Sequence, residues 1–438
     1  MRQFGENGGY VHMEKNNAKY GAYISILKEE LVPAMGCTEP IALAYCAAKA
    51  REVLGAMPDN VVIEASGSII KNVKSVIVPN TDHMKGIPAA AVAGIVGGDA
   101  TKELEVIAQV SKENIAAMRT YMENTPISVV HVDSGLTFEI IVTVCHGEDY
   151  AKVRIANYHT NIVHIEKNGQ VLMHVDVEGE GENGLTDRSI LNLADILDFA
   201  NTVDIEDVRS TIARQIRYNM AIAEEGLRGN YGSNIGSVLL RTYGDQSVMI
   251  RAKAMAAAGS DARMNGCELP VIINSGSGNQ GMTTSLPVIE YARELKASEE
   301  MLYRALTLAN LVTIHQKTSI GRLSAFCGAV SAGAGAGAGI AYLQGADLDG
   351  ISHTVANAIA TTGGIVCDGA KASCASKIAT AVEAGILGYH MHVHNKNFQP
   401  DDGLVGETPE ETIANIGRLG KQGMKATNEE IIKIMVGE

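Results

Sequence analysis

A chain of 438 residues is long enough for two or three domains and for a large core that needs no disulfide support. Its 46% hydrophobic and 20% charged residues exclude intrinsic disorder, and 50 acidic against 36 basic residues leave a formal charge of −14. A chain so charged repels polyanions, so neither nucleic acid nor anionic membrane is expected as a partner.

Residues 1–12 read as a flexible polar leader, with Met13 as a second candidate start. The basic, apolar and small-residue pattern of a secretory signal is absent, so a cytoplasmic location is expected. Seven scattered Cys argue against a disulfide framework and fit a reducing compartment. With 46 Gly, no Trp and 4% aromatic residues, the composition favours helices packed closely through small side chains.

Helical spacing runs from 20 to 32, breaks at Val32-Pro33, and resumes after Gly36-Cys37-Thr38-Glu39-Pro40 to about Leu54. These N-terminal helices, within 13–57, are expected to pack on the C-terminal domain. Residues 61–78, 129–144 and 152–177 read as strands, the last pair joined by the turn Lys167-Asn168-Gly169. Helices are expected over 88–96 and 102–122, which makes 58–178 an α+β domain. An acidic Gly-rich linker at 179–184 follows, and 185–438 reads as almost wholly helical. Two helix starts resemble capping boxes, at Thr408-Pro409-Glu410-Glu411 and Thr427-Asn428-Glu429-Glu430. The uncharged run 324–346 is long enough to span a bilayer, yet its Ala, Gly and polar residues read as a buried, closely packed helix. The fold class is therefore α+β, a mainly helical domain with a smaller β-containing one.

Five groups of residues can carry chemistry. Cys37 lies just ahead of a helix start, where the dipole and free amides favour thiolate; the plainer reading is an inert thiol beside a Thr38 or Glu39 cap. The loop Asn274-Ser275-Gly276-Ser277-Gly278-Asn279-Gln280-Gly281 follows an apolar run and can cradle an anion, or serve only as a turn. With Lys253 upstream it also allows a pyridoxal-phosphate lyase using that amine. Cys367 and Cys374 sit in a Gly-rich segment with Cys327 upstream, either as small buried hydrophobes or as three thiolate ligands that leave a coordination position open. His390, His392 and His394 alternate as in a metal site, but read better as a solvated segment after a helix. His315, Lys317 and Arg322, just before Cys327, are cations of a solvated face or donors to a site.

Taken together, Gly-Cys-Thr-Glu-Pro at 36–40, Ser-Gly-Ser-Gly-Asn-Gln-Gly at 275–281, Phe-Cys-Gly at 326–328 and Gly-Gly-Ile-Val-Cys-Asp-Gly-Ala-Lys at 363–371 resemble the L-cysteine desulfidase family, relatives of the iron–sulfur L-serine dehydratase alpha chain. The resemblance runs from about Tyr20 to the C-terminus and includes Thr-Ile-Ala-Asn-Ile-Gly-Arg at 412–418. It implies an oxygen-sensitive 4Fe-4S cluster on Cys327, Cys367 and Cys374, with Cys37 as the base. It further implies a lyase that eliminates sulfide from L-cysteine to give pyruvate and ammonia, an open cluster iron acting as Lewis acid. Ser275, Ser277 and Asn279 are expected to hold the substrate carboxylate or amine, with Thr38 and Glu39 lining the same pocket. Cys46, Cys145 and Cys267 match no ligand motif. The chain departs from the serine dehydratases in the spacing of its last two cluster cysteines and in ending Met435-Val436-Gly437-Glu438 without a cysteine, so L-serine is the alternative substrate. The expected partner is a small amino acid, and the Gly/Ala-rich helices leave a homo-oligomer open.

Overall fold

A computed structural model describes residue 13, residues 15–177 and residues 185–436. The expected leader at 1–12 and the linker at 179–184 lie outside the described residues. In chain order the elements are α1 (Ala18–Glu30), β1 (Pro33–Met35), α2 (Thr38–Leu54), β2 (Asn60–Ala65), α3 (Gly67–Val73), α4 (Gly86–Gly97), α5 (Lys112–Asn124), β3 (Ile127–His131), β4 (Glu139–His146), β5 (Asp149–Ala156), β6 (Ile162–Lys167) and β7 (Gln170–His174). There follow α6 (Leu193–Thr202), α7 (Ile205–Arg228), α8 (Ile235–Tyr243), α9 (Val248–Met264), β8 (Pro270–Ile272), α10 (Gly278–Glu294), α11 (Glu299–Ile320), α12 (Gly328–Leu343), α13 (Leu348–Thr362), α14 (Cys374–Val393), α15 (Pro409–Arg418) and α16 (Lys425–Val436). The architecture is α+β and mainly helical, as expected.

Six strands form one sheet in the order β3-β2-β4-β5-β6-β7, with only the β2–β3 pair parallel. Its alternating residues set one apolar face: Val61 pairs with Val144, Ile63 with Val142, and Val142 in turn with Val153. These side chains are fully buried, at roughly 1.5–3 kcal/mol of transfer free energy each. Helix α2 lies on β4 and β5 and against α4, whereas α1 lies against α7 and α11. The helical part is built around α12, which packs on α10, α11, α13 and α14. A Cβ at Gly333 of α12 would collide with the Ala381 carbonyl, and one at Gly385 of α14 with the Gly333 carbonyl, so the Ala/Gly run is a close helix–helix seam. Among the described residues no helix is long and apolar enough to cross a membrane.

Three local expectations fail for identifiable reasons. Of 61–78 only β2 is extended, because Ser66-Gly67-Ser68 ends the strand and the buried Ile69 and Val73 then recur at helical spacing. The helix read over 102–122 is two pieces, a 3-10 turn at Ala100–Glu105 and α5, which starts at a Ser111–Asn114 capping box. Helix α16 begins at Lys425, so Thr427 is not its cap, and Asn428 instead accepts a hydrogen bond from Lys71 Nζ at 2.7 Å. Thr408 does cap α15, accepting from the Glu411 N–H at 3.2 Å.

Candidate active site

The two-stranded ladder of β1 and β8 determines where the site forms. Pro33 pairs with Ile272 and Met35 with Pro270, so the Gly36–Glu39 turn and the loop after β8 leave the ladder side by side. Thr38 Oγ1 then donates to the Gly276 carbonyl at 2.8 Å, and Arg263 Nε donates to the Gly36 carbonyl at 2.8 Å. Gly276 has φ +79°, and a Cβ there would press on His159 Cε1, so this turn requires glycine. Asn274 and Ser277 close the turn with reciprocal 3.1 Å backbone hydrogen bonds.

Cys37 is the N-cap residue of α2, Ser277 of α10 and Cys327 of α12, while Cys374 is the first residue of α14; none of these four starts has a side-chain cap bond. Cys37 and Met264 form a small apolar nucleus against which Cys374 packs. The Cys327 and Cys367 segments are tied by an antiparallel bridge, with Cys327 N–H donating to Ile365 O at 3.0 Å and Cys367 N–H to Ala325 O at 2.6 Å. Of the residues expected at the site, Thr38 and Glu39 adjoin Cys37, Asn279 shares its Met264 contact, and Ser277 lies in the turn that Thr38 binds. Ser275 is buried with φ +49°, and its hydroxyl donates back to Asn274 Oδ1 at 2.8 Å, so it holds the turn's shape.

The serine dehydratase alpha chain family matches residues 101–433. The chain is 60% identical to a UPF0597 protein of Desulfitobacterium hafniense over 98% of this chain and 99% of that one. UPF0597 proteins of Lachnoclostridium phytofermentans and Treponema denticola are 53% and 46% identical, covering 95% and 97% of this chain and 100% of each relative. The chain belongs to the serine dehydratase alpha chain family. That membership bears out the resemblance read from the four motifs and points to lyase chemistry.

For a member of the serine dehydratase alpha chain family, the three thiols are the first test of fit to an iron–sulfur cluster. Cys327, Cys367 and Cys374 are half-buried and free; Cys367 and Cys374 act as electrostatic neighbours that raise Cys327, and Cys367 likewise raises Cys374. Burial, with Cys367 adding to it, pushes the Cys327 thiol up to about 12. Cations gather around them: Lys71 Nζ lies 3.3 Å from the Cys367 carbonyl, Lys377 Nζ donates to Val366 O at 2.9 Å, and buried Lys317 interacts with both Cys327 and Cys367. Among the described residues no three His, Cys, Asp or Glu side chains are grouped to hold a single metal ion. A cubane spreads its ligands over separate irons, and three thiols ringed by amines suit one that keeps a thiolate on each of three irons and leaves the fourth open, as well as its negative charge.

At Cys37 the structure differs from the helix-terminus argument. Burial pushes this thiol up to about 12; Arg263 opposes the shift, while Glu39 and Cys374 reinforce it. Desolvation thus outweighs the favourable start of α2. Lys253 is ion-paired with Glu383 of α14 at 2.5 Å rather than with the 274–281 loop, which removes the support for a pyridoxal-phosphate lysine. His390 and His394 are exposed at the end of α14.

Several residues at the site carried no sequence signal. Asn72 of α3 donates to Glu39 Oε1 at 3.1 Å, and His159 stacks edge-on to Phe138 against the Gly276 turn. Burial, with the charges of Arg322 and Arg263, lowers His159 to about 3, so it is neutral. A cavity of about 410 Å³ opens between the sheet and the helices, lined among others by Phe138, Ser275, Lys317 and Arg322. In its wall Arg188 and Arg322 each hold Glu30 Oε1 at 2.9 Å.

Proposed function

We propose that this chain is an iron–sulfur lyase that eliminates sulfide from L-cysteine, yielding pyruvate and ammonia. The observation that carries the reading is the convergence of Cys37, Thr38 and Glu39 with the 274–280 turn beside Cys327, Cys367 and Cys374. Those three thiolates would hold a 4Fe-4S cluster, which when bound supplies Lewis acidity for the departing sulfur. Arg263, whose charge opposes the effect of burial on Cys37, favours its thiolate, and as thiolate Cys37 Sγ accepts the proton from Cα; the released electron pair forms the Cα–Cβ double bond as the Cβ–S bond breaks and sulfide leaves. The resulting aminoacrylate tautomerises to an imine and is hydrolysed by water. Ser277 and Asn279 orient the substrate, Thr38 fixes the Gly276 turn, and Glu39 is held in place by Asn72.

The test is iron and acid-labile sulfide on protein purified without oxygen, with sulfide release from L-cysteine and pyruvate formation from L-serine measured on the same sample. About four of each per chain, with turnover of L-cysteine that dies in air, supports the reading. Preference for L-serine would make the chain a serine dehydratase with the same chemistry, and turnover without iron would overturn the cluster.

A further inference from the structure

The residues given roles so far leave opposite kinds of polar group unsatisfied at one place. Arg263 on α9 is 3% exposed, and its side chain's one hydrogen bond among the described residues is the 2.8 Å donation from Nε to Gly36 O. Among the described residues no carboxylate lies in ion-pair range of it, whereas Arg188 and Arg322 nearby share Glu30. A guanidinium charge in so buried a residue, with no carboxylate beside it, is costly unless an anion joins it. On the other side, Asn72 Oδ1, Asn279 Oδ1 and Gln280 Oε1 are buried acceptors that receive no donor. Asn72 and Gln280 are 6% and 5% exposed. The Asn72 amide is fixed by its donation to Glu39, which turns the oxygen the other way. Asn279 Nδ2 and Cys37 Sγ both lie on Met264 Sδ, at 3.6 and 3.8 Å, and Gln280 lies under Gly328 at the start of α12.

We infer that these residues form a subsite for the zwitterionic head of an α-amino acid, the Arg263 Nη groups pairing with its carboxylate and the Asn72 and Gln280 oxygens accepting from its ammonium. The inference rests on the lyase reading for its setting. A simple carboxylate would leave the Asn72 and Gln280 oxygens without a donor and a simple amine would leave the Arg263 charge without a counter-ion, but a zwitterion satisfies both. Arg263 suits this task because its planar fork binds a carboxylate through two parallel hydrogen bonds. With both charged groups held, Cα lies beside Cys37, on which Arg263 acts as the opposing charge.

The experiment is equilibrium binding, by calorimetry, of L-alanine, which has no leaving group, together with L-alaninamide, which lacks the carboxylate, and L-lactate, which lacks the ammonium. It uses protein with its cluster intact, checked by visible absorption and circular dichroism. Wild type should bind L-alanine best. Arg263→Lys should weaken L-alanine by about 10–100-fold and L-alaninamide far less, as expected for loss of a hydrogen-bonded charge partner. Asn72→Leu should narrow the gap between L-alanine and L-lactate instead. If Arg263→Lys weakens all three ligands equally, or leaves L-alanine unchanged, or if wild type binds no L-alanine, the inference is overturned. Arg263-dependent L-alanine binding without sulfide release from L-cysteine would sink the lyase reading alone, and sulfide release with an unchanged KM in Arg263→Lys would sink the subsite alone.

Discussion

Helix starts in this protein fall into two kinds. Away from the site, Asn17, Ser111, Asn192, Asp204, Ser298, Asp347 and Thr408 each accept a hydrogen bond from the first turn of the helix they cap. At the site, the starts of α2, α10, α12 and α14 carry Cys or Ser at or beside the cap position and none uses it to close the helix. Uncapped starts also occur singly at Ser66, Lys85 and Ser247, but here four converge. A capped terminus spends its amides on its own stability; an uncapped one leaves amides and a thiol or hydroxyl available to a ligand. The first kind should answer to mutation in stability and the second in function.

The sharpest way to break that division is at the thiols. Cys367→Ala should abolish both the visible absorption of the cluster and turnover, whereas Cys37→Ala should keep the absorption and lose turnover. Both variants should melt within a few degrees of wild type when compared without metal. Full activity in Cys37→Ala would remove it from the mechanism, and an intact cluster in Cys367→Ala would remove that ligand.

Helix α8 sits between the two kinds, because its start is served from another helix. Asp261 Oδ2 accepts the Gly236 N–H at 3.0 Å, while its Oδ1 has no partner and the side chain is fully buried. Burial raises this carboxyl to about 6, the two backbone N–H groups only partly opposing it. An acid whose pKa is raised on folding binds its proton more tightly in the folded state, so stability falls as pH rises from about 4 to about 6 and stays lower above. Asp261→Asn keeps an acceptor and removes the charge. It should stabilise the protein by up to about 3 kcal/mol at pH 8 and by little at pH 4, read from urea midpoints at the two values. Equal midpoint shifts at both pH values would show that the carboxyl is not the cause.

The parts that were legible in sequence are those governed by local pattern. Alternation marked the stretch that forms β4 to β7, though not the break at 157–161 that separates β5 from β6, and the Asn168-Gly169 turn, both residues of which have positive φ, while Thr408-Pro409 marked α15. The thiols and the Ser-Gly-Ser-Gly-Asn turn stood out because each is a dense local motif. What stayed hidden depends on long-range contact: Asn72 and Arg263 meet Glu39 and Gly36 across 33 and 227 residues, and each looks like an ordinary polar residue in its own helix. The Cys37 shift was misjudged for a related reason. A helix start can be read along the chain, but the burial that outweighs it comes from Val76 and Met264.

The smallest effects test the division most directly, because one substitution can be made at a terminus of each kind. Thr408→Ala removes a 3.2 Å hydrogen bond to the Glu411 N–H and should cost about 1 kcal/mol, with kcat and KM unchanged. Ser277→Ala removes a hydroxyl that makes no cap bond, so the melting temperature should hold while KM for the amino acid rises several-fold. The expected pattern is a crossing of the two variants, one moving only stability and the other only KM. Were Ser277→Ala to destabilise as much as Thr408→Ala with KM unmoved, its hydroxyl would be an ordinary cap. The α10 start would then belong with the closed termini, leaving the thiol-bearing starts alone to define the open kind.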